Sequence, residues 1–275
     1  MFALVMRTDS KQRFSDTSDS GVANVAEPPE DVLDAIRAAC VTAIVDARNR
    51  GSYGEFGPVA SVAAVNSPAQ VVLSGHDVVV SAAITALRAS GLLRKTARLP
   101  VSAAFHCALM QPAADALNSA IGVSRIAPAA SSVLHSPQDA APAERVVATL
   151  QPPSVPLVSN VDGRLVTDAS QIRELLVASV TAPVRWAACA RAALQGSDGS
   201  GRMVEDGVDE TSFLELGSGS TLASLVRQQH GLASCPVRSV GTVDDVRAFA
   251  REGGSGRWRR GTHGVTHAHS TRESP

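Results

Sequence analysis

Apolar positions along the first hundred residues alternate between short β-branched runs and longer stretches with a four-residue repeat. Phe2–Met6 is an apolar run of strand length. Thr8–Asp31 is polar, rich in Ser, Asp and Pro, and is expected to be a loop. After Pro28 and Pro29, the residues Val32, Ile36, Cys40 and Ile44 fall on one helix face and predict a helix through about Asn49. Gly51–Pro58 breaks that pattern. Val59–Val65 is predicted as a strand, Asn66-Ser67-Pro68 as a turn, and Gln70–Ser74 as a second strand close enough to form a hairpin. Val78–Ala89 has helical spacing and stops at Ser90-Gly91, and Lys95–Val101 is extended again. The predicted order is β-α-β-β-α-β, the split βαβ or ferredoxin-like pattern, which occurs under many functions.

The pattern changes over Val101–Leu117, VSAAFHCALMQPAADAL. An extended apolar lead-in ends at Phe105-His106-Cys107. Pro112 then marks a helix start, because its missing N–H would have no partner in a first turn. Ala113, Leu117 and Ile121 follow at a spacing of four, which puts them on one face of that helix. Ala127–Ala148 is rich in Ala, Ser and Pro and reads as a loop with a short helix. Val155–Val161 is predicted as a strand, with Asp162-Gly163 turning Leu165–Val166 back as a short hairpin. Ser170–Ala178 and Val184–Leu194 are predicted helices joined through Thr181-Ala182-Pro183, and Gln195–Asp209 is a polar loop. Ser212–Leu216 is a strand. Gly217-Ser218-Gly219 leads into a helix carrying Leu222, Leu225 and Val226, and Pro236–Val240 and Val243–Ala250 follow as strand and helix. This alternation after Val155 predicts a parallel sheet. The Gly-, Arg- and His-rich tail Gly253–Pro275 is expected to be disordered.

Composition narrows the function classes. The 275 residues can form one domain or two, and 44% apolar with 19% charged residues is an ordinary globular mix. A net charge of -1 offers no broad field for nucleic acid or an anionic membrane, and 3% aromatics argues against a base-stacking surface. Cys40, Cys107, Cys189 and Cys235 form no C-x-x-C pair, so free thiols in a reducing compartment are expected. No apolar run is long enough to span a bilayer. The opening MFALVM has no basic leader and reads as a core strand, a hint that the chain begins in mid-fold.

Few residues carry chemistry. His106 stands where α/β enzymes often keep a general base, although a lone histidine on an apolar segment is more often structural. Gly217-Ser218-Gly219 could present amides to an anion, but it lacks the lysine and spacing of a P-loop, and a tight strand-to-helix turn is the preferred reading. His263, His267 and His269 have no supporting carboxylate or thiol cluster and are set aside as a metal site. Cys107 adjoins His106, but neighbours on extended backbone point to opposite faces, so it is read as packing. No G-x-S-x-G elbow exists: Ser74 in VVLSGH and Ser218 in LGSGS both fail the spacing.

These segments, taken together, resemble the malonyl-CoA:acyl carrier protein transacylases and the related acyltransferase domains of fatty-acid and polyketide synthesis. VSAAFHCALMQPAADAL resembles the family's catalytic-histidine motif. VAAVNSPAQVVLSGH looks like its NSPxQxVxSG hairpin, VPLVSNVDGRLV its PVxSNV strand, and TAPVRW its SPVRW helix start. FLELGSGSTLASLV resembles the closing FxEIGPGxxLxxL motif, with Ser218 where proline is usual. The family's GQGSQ and GHSLGE motifs, the latter bearing the nucleophilic serine, and its malonyl-pairing arginine are not found in this chain.

The resemblance implies an α/β protein with a ferredoxin-like small domain (residues 1–101), the C-terminal part of an α/β-hydrolase-like large domain (102–252) and the tail (253–275). It implies malonyl transfer from coenzyme A to the phosphopantetheine thiol of acyl carrier protein, with no cofactor beyond the substrates. His106 would be the catalytic base, oriented by a backbone carbonyl near Arg185. Phe105 would narrow the pocket against α-methyl branches, and Asn160 and Asn66 would line the cleft. The expected partners are malonyl-CoA, acyl carrier protein and a missing N-terminal half, without which the chain is expected to be inactive and aggregation-prone beyond about Val101. Nucleic acid and membrane are not expected partners. The expected setting is the cytoplasm or a mitochondrial or plastid matrix. The alternatives are a non-catalytic module binding acyl carrier protein or a subunit, and, more weakly, a hydrolase using Cys107 or Cys189.

Overall fold

Leu4 and Met6 of β1 (Phe2–Met6) share one buried cluster and Ala3 belongs to another, because successive side chains alternate across a strand. A computed structural model describes residues 1–7, 27–122, 150–195, 212–229, 232 and 235–251. In it β1 is an inner strand of a four-stranded antiparallel sheet, order β2-β3-β1-β4, with β2 (Ala60–Ser67), β3 (Gln70–Gly75) and β4 (Leu93–Arg98). Helices α1 (Glu30–Arg48) and α2 (Asp77–Ala89) complete the β-α-β-β-α-β order. Both pack on one face of the sheet. Leu33, Ile36, Cys40, Ala43 and Ala47 of α1 recur at three- and four-residue steps, and they meet Val79, Val80, Ala83, Ile84 and Leu87 of α2 over Leu4, Met6, Val71 and Leu73. Burying each large side chain in that set is worth about 1.5–3 kcal/mol. Glu30 and Asp31 in the first turn of α1 and Arg48 in its last complement the helix dipole.

The other face of the sheet is built from small residues. A β-bulge in β2 shifts the register between Val62 and Ala64, which turns both Ala63 and Ala64 into the cluster with Ala3 and Val72. Small side chains there let a later part of the chain approach closely. Val184 packs on them and forms a parallel bridge to Ala64: its N–H donates to Ala63 O at 2.9 Å, and Val65 N–H donates to its carbonyl at 2.8 Å. The outer edge of β2 is thereby partly closed.

The remaining elements are α3 (Gln111–Gly122), the antiparallel pair β5 (Leu157–Val158) and β6 (Leu165–Val166), α4 (Ala169–Ala178), α5 (Trp186–Gln195), β7 (Phe213–Leu216), α6 (Thr221–Gln228), β8 (Val237–Val240) and α7 (Val243–Arg251). Gly163 at the β5–β6 turn has φ +72°, and a Cβ there would stand 2.6 Å from that of Ala188, so only glycine fits. β7 and β8 pair in parallel, with Ala190, Val226 and Leu232 as their core against α5 and α6.

Several expectations shift. The strand expected over Val155–Val161 shrinks to β5, with Val155 exposed. The strand expected to end at Val101 ends at Arg98, ahead of Pro100, which has no N–H to give a ladder. Among the described residues parallel pairing is limited to β7–β8 and the Val184 bridge. In α3 the buried residue is Ala114, with Leu117 and Ile121 half-buried and Ala113 exposed. Residues 8–26, the expected loops over 127–148 and 196–209, and the tail with His263, His267 and His269 lie outside the described residues.

Two glycines give a test of this packing. Gly75 has φ +147°, and a Cβ on it would stand 2.1 Å from Val59 O, whereas Gly91 has φ +78° and open space around it. Gly75→Ala is expected to cost about 2–4 kcal/mol in urea unfolding and Gly91→Ala about 1 kcal/mol. Equal losses would contradict the register of the β2–β3 hairpin described here.

Candidate active site

His106 has φ +60°, the only positive φ at a non-glycine position among the described residues. A left-handed conformation costs an L-residue about 1–2 kcal/mol, so it persists only when neighbours hold it. No strand precedes it, contrary to the expected extended lead-in: residues 102–106 run through bends and a turn. Two carbonyls just beyond α4 do the holding. His106 N–H donates to Val180 O at 3.3 Å, and ring Nδ1 lies 3.0 Å from Ser179 O. A carbonyl oxygen only accepts, so Nδ1 carries the proton and Nε2 keeps its lone pair. Ser179 is the C-cap of α4, where carbonyls lack intrahelical partners and the dipole is negative. The carbonyl at Nδ1 therefore belongs to Ser179 and not, as expected, to the neighbourhood of Arg185.

The other expected site residues are gathered through the same segment, residues 179–185. Arg185 N–H donates to Asn160 O at 2.8 Å. Val184 grips Ala63 and Val65, the latter next to Asn66. Phe105, 38% exposed, adjoins His106 on the opposite side from Cys107. Asn160 is exposed and Asn66 half-buried. Within seven residues, one segment thus touches the histidine, the Asn66 hairpin and the Asn160 turn. Sequence reading missed Gln229, which is fully buried and donates from Nε2 to Asn66 O at 2.8 Å. The signal was available: Gln229 continues Leu222, Leu225 and Val226 at the seventh position, on the same helix face.

Other candidates resolve differently. Cys107 is buried and its thiol donates to Ala104 O at 3.1 Å, so it packs. It diverges from His106 because the histidine turns left-handed, not because both lie on extended backbone. Burial, with Asp162 nearby, pushes the Cys189 thiol up to about 11, and burial alone does the same at Cys40. Such thiols are poor nucleophiles near neutrality. All four cysteines are free. The helix end after Gly217-Ser218-Gly219 is not open to an anion, because Glu215 fills it. Its carboxylate accepts from Leu222 N–H at 2.9 Å, Ala223 N–H at 3.0 Å and Ser239 Oγ–H at 2.9 Å. Among the described residues no set of three or more His, Cys, Asp or Glu could hold a metal ion, and no helix is long and apolar enough to cross a membrane.

The Glu215 cap has a pH consequence. Burial pushes its carboxyl up, but the Ala223 and Leu222 amides, the Ser239 hydroxyl and the Arg227 charge outweigh that and hold it below the usual value of 4.5. A group with a depressed folded pKa stabilises above its unfolded value and loses that contribution as pH falls through the folded one. Glu215→Gln is expected to lower the melting temperature at pH 7, with the gap to wild type closing as pH drops below about 4.3. A gap that stays constant down to pH 3 would contradict the cap.

Known proteins resemble the chain in sequence and in fold. No protein-family profile matches the chain. The malonyl CoA-acyl carrier protein transacylase of Salmonella typhimurium is 38% identical over 130 residues, covering 47% of this chain and 34% of that protein. Its Escherichia coli K12 counterpart is 33% identical over 172 residues, covering 62% and 44%. The crystal structure of the malonyl-CoA:acyl carrier protein transacylase FabD of Xanthomonas oryzae shares the fold at a TM-score of 0.55 and 23% identity, covering 90% of this chain and 55% of that one. The chain is thus similar in sequence to two malonyl CoA-acyl carrier protein transacylases and in fold to a third, and it spans between 34% and 55% of the length of these three.

Proposed function

We propose that the chain serves malonyl transfer from coenzyme A to the phosphopantetheine thiol of acyl carrier protein, in fatty-acid synthesis, with His106 as the general base. The observation that carries this reading is the Nδ1 contact to Ser179 O, which leaves Nε2 as the proton acceptor. In the proposed cycle a serine hydroxyl gives its proton to Nε2 as its oxygen attacks the malonyl thioester carbonyl. The C–S bond breaks, coenzyme A leaves as a thiol by taking that proton, and a malonyl ester remains. The carrier protein's thiol then repeats the steps in reverse, losing its proton to Nε2 and displacing the serine. No serine-elbow motif lies within these 275 residues, so the nucleophile of this scheme has to be supplied to His106.

In the same reading Phe105 restricts the acyl pocket, a steric selection worth about 1–3 kcal/mol per methylene. Asn66 and Asn160 line the cleft. The proposed division is a ferredoxin-like unit over residues 1–101, supported by the β2-β3-β1-β4 order, and part of an α/β-hydrolase-like unit over 102–252, supported by the parallel pair β7–β8. The free cysteines, three of them buried, suit a reducing compartment, cytoplasmic or organellar.

The test is transfer itself. The purified chain is expected to gain no malonyl ester alone. Mixed with a polypeptide bearing the family's GHSLGE segment, it is expected to form malonyl-carrier protein, detected by intact mass. His106→Ala should then reduce the rate about 10²–10⁴-fold. Transfer that survives His106→Ala unchanged would exclude the base role and leave a carrier-binding module as the better description.

A further inference from the structure

Gln229 is fully buried at the C-cap of α6, and its backbone is already used in both directions: its N–H donates to Val226 O and its carbonyl accepts from Leu232 N–H. Its side chain reaches across 163 positions of sequence to Asn66 O at 2.8 Å. A carbonyl only accepts, so the amide orientation is fixed by this contact, with Nε2 toward Asn66. The amide's own oxygen, Oε1, is buried, and among the described residues it has no hydrogen-bond partner. A buried, half-satisfied amide is a poor choice for stability, since an apolar side chain of the same length would fill the space without an orphaned oxygen. What the amide supplies and methionine cannot is a donor aimed at one carbonyl.

That carbonyl is free for a reason. The register of β2 on β3 shifts a second time between Val65 and Ser67, which leaves Asn66 as the extra residue outside the ladder. Next to it, Val65 N–H is taken by Val184 O, and at the hairpin tip Ala69 N–H donates to Ser67 Oγ at 3.3 Å. The bulge is therefore held from two sides: by the 179–185 segment that holds His106, and by the end of α6.

We propose that Gln229 is a positioning residue, fixing the Asn66 bulge against α6 and so setting where Asn66 stands relative to His106; this rests on the reading that Asn66 lines the site. Gln229 acts through Asn66 and does not itself need to touch substrate. The chain of contacts runs from α6 through Gln229 to Asn66, then through Val65 and Val184 to the carbonyls that hold the histidine.

Amide hydrogen exchange on the 275-residue chain tests this without requiring activity. In wild type the Gln229 side-chain amide protons are expected to exchange slowly. In Gln229→Met the unfolding midpoint should hardly move, while Val65 and Ala69 exchange about three- to tenfold faster relative to Leu4 and Leu73. Where transfer can be assayed, KM for malonyl-CoA should rise with the pH profile of kcat unchanged. Fast exchange of the wild-type Gln229 amide, which needs no variant, or unaltered exchange at Val65 and Ala69 in folded Gln229→Met, would overturn the assignment. Because exchange is measured whether or not malonyl is transferred, that failure is separate from failure of the transacylase reading.

Discussion

The backbone of residues 179–185 is the constraint on which the candidate site depends. It leaves the C-terminus of α4 with two carbonyls spare, and both go to His106, one to its backbone and one to its ring. Five residues later the same segment lays Val184 along the edge of β2, and at Arg185 it donates to Asn160 O. Each of these is an ordinary hydrogen bond worth about 0.5–1.5 kcal/mol net. Their effect comes from sharing one short piece of chain, which cannot shift at one end without pulling on the other. The left-handed backbone of His106 is tolerated because this piece determines it from outside.

Two features of the first hundred residues make that approach possible. The sheet buries its large side chains, Leu4, Met6 and Leu73 among them, toward α1 and α2. It keeps alanine and valine on the opposite face, where Val184 arrives. The bulges of β2 then turn Ala63 and Ala64 to the same face and free the Asn66 carbonyl for Gln229. Packing of the sheet and placement of the site residues are thus one arrangement, with small residues where a neighbour must come close and register shifts where a backbone group must be released.

Much of the framework was legible in sequence because it follows from periodicity. The four-residue repeat of α1 and α2 and the β-branched runs of β2 and β3 gave those elements nearly to their ends. The His106 stretch was legible through its motif, as was the Glu215 segment. What escaped had non-local causes. The shortness of β5 reflects exposure of Val155, which composition does not reveal. The carbonyl at Nδ1 was expected near Arg185 because the motif lies there, yet the C-cap of α4 six residues earlier supplies it. No local pattern fixes which of several nearby carbonyls meets a ring. Gln229 lay on a predicted apolar face, but its partner is 163 positions away.

The central claim is that the end of α4 holds His106 in the tautomer a base requires. Its most direct measurement is the pair of ring nitrogen chemical shifts of His106 in a uniformly ¹⁵N-labelled chain, recorded above the histidine's titration. The account predicts a pyrrole-type shift at Nδ1, which carries the proton donated to Ser179 O, and a pyridine-type shift at Nε2. The reverse assignment, with the proton on Nε2, would contradict it.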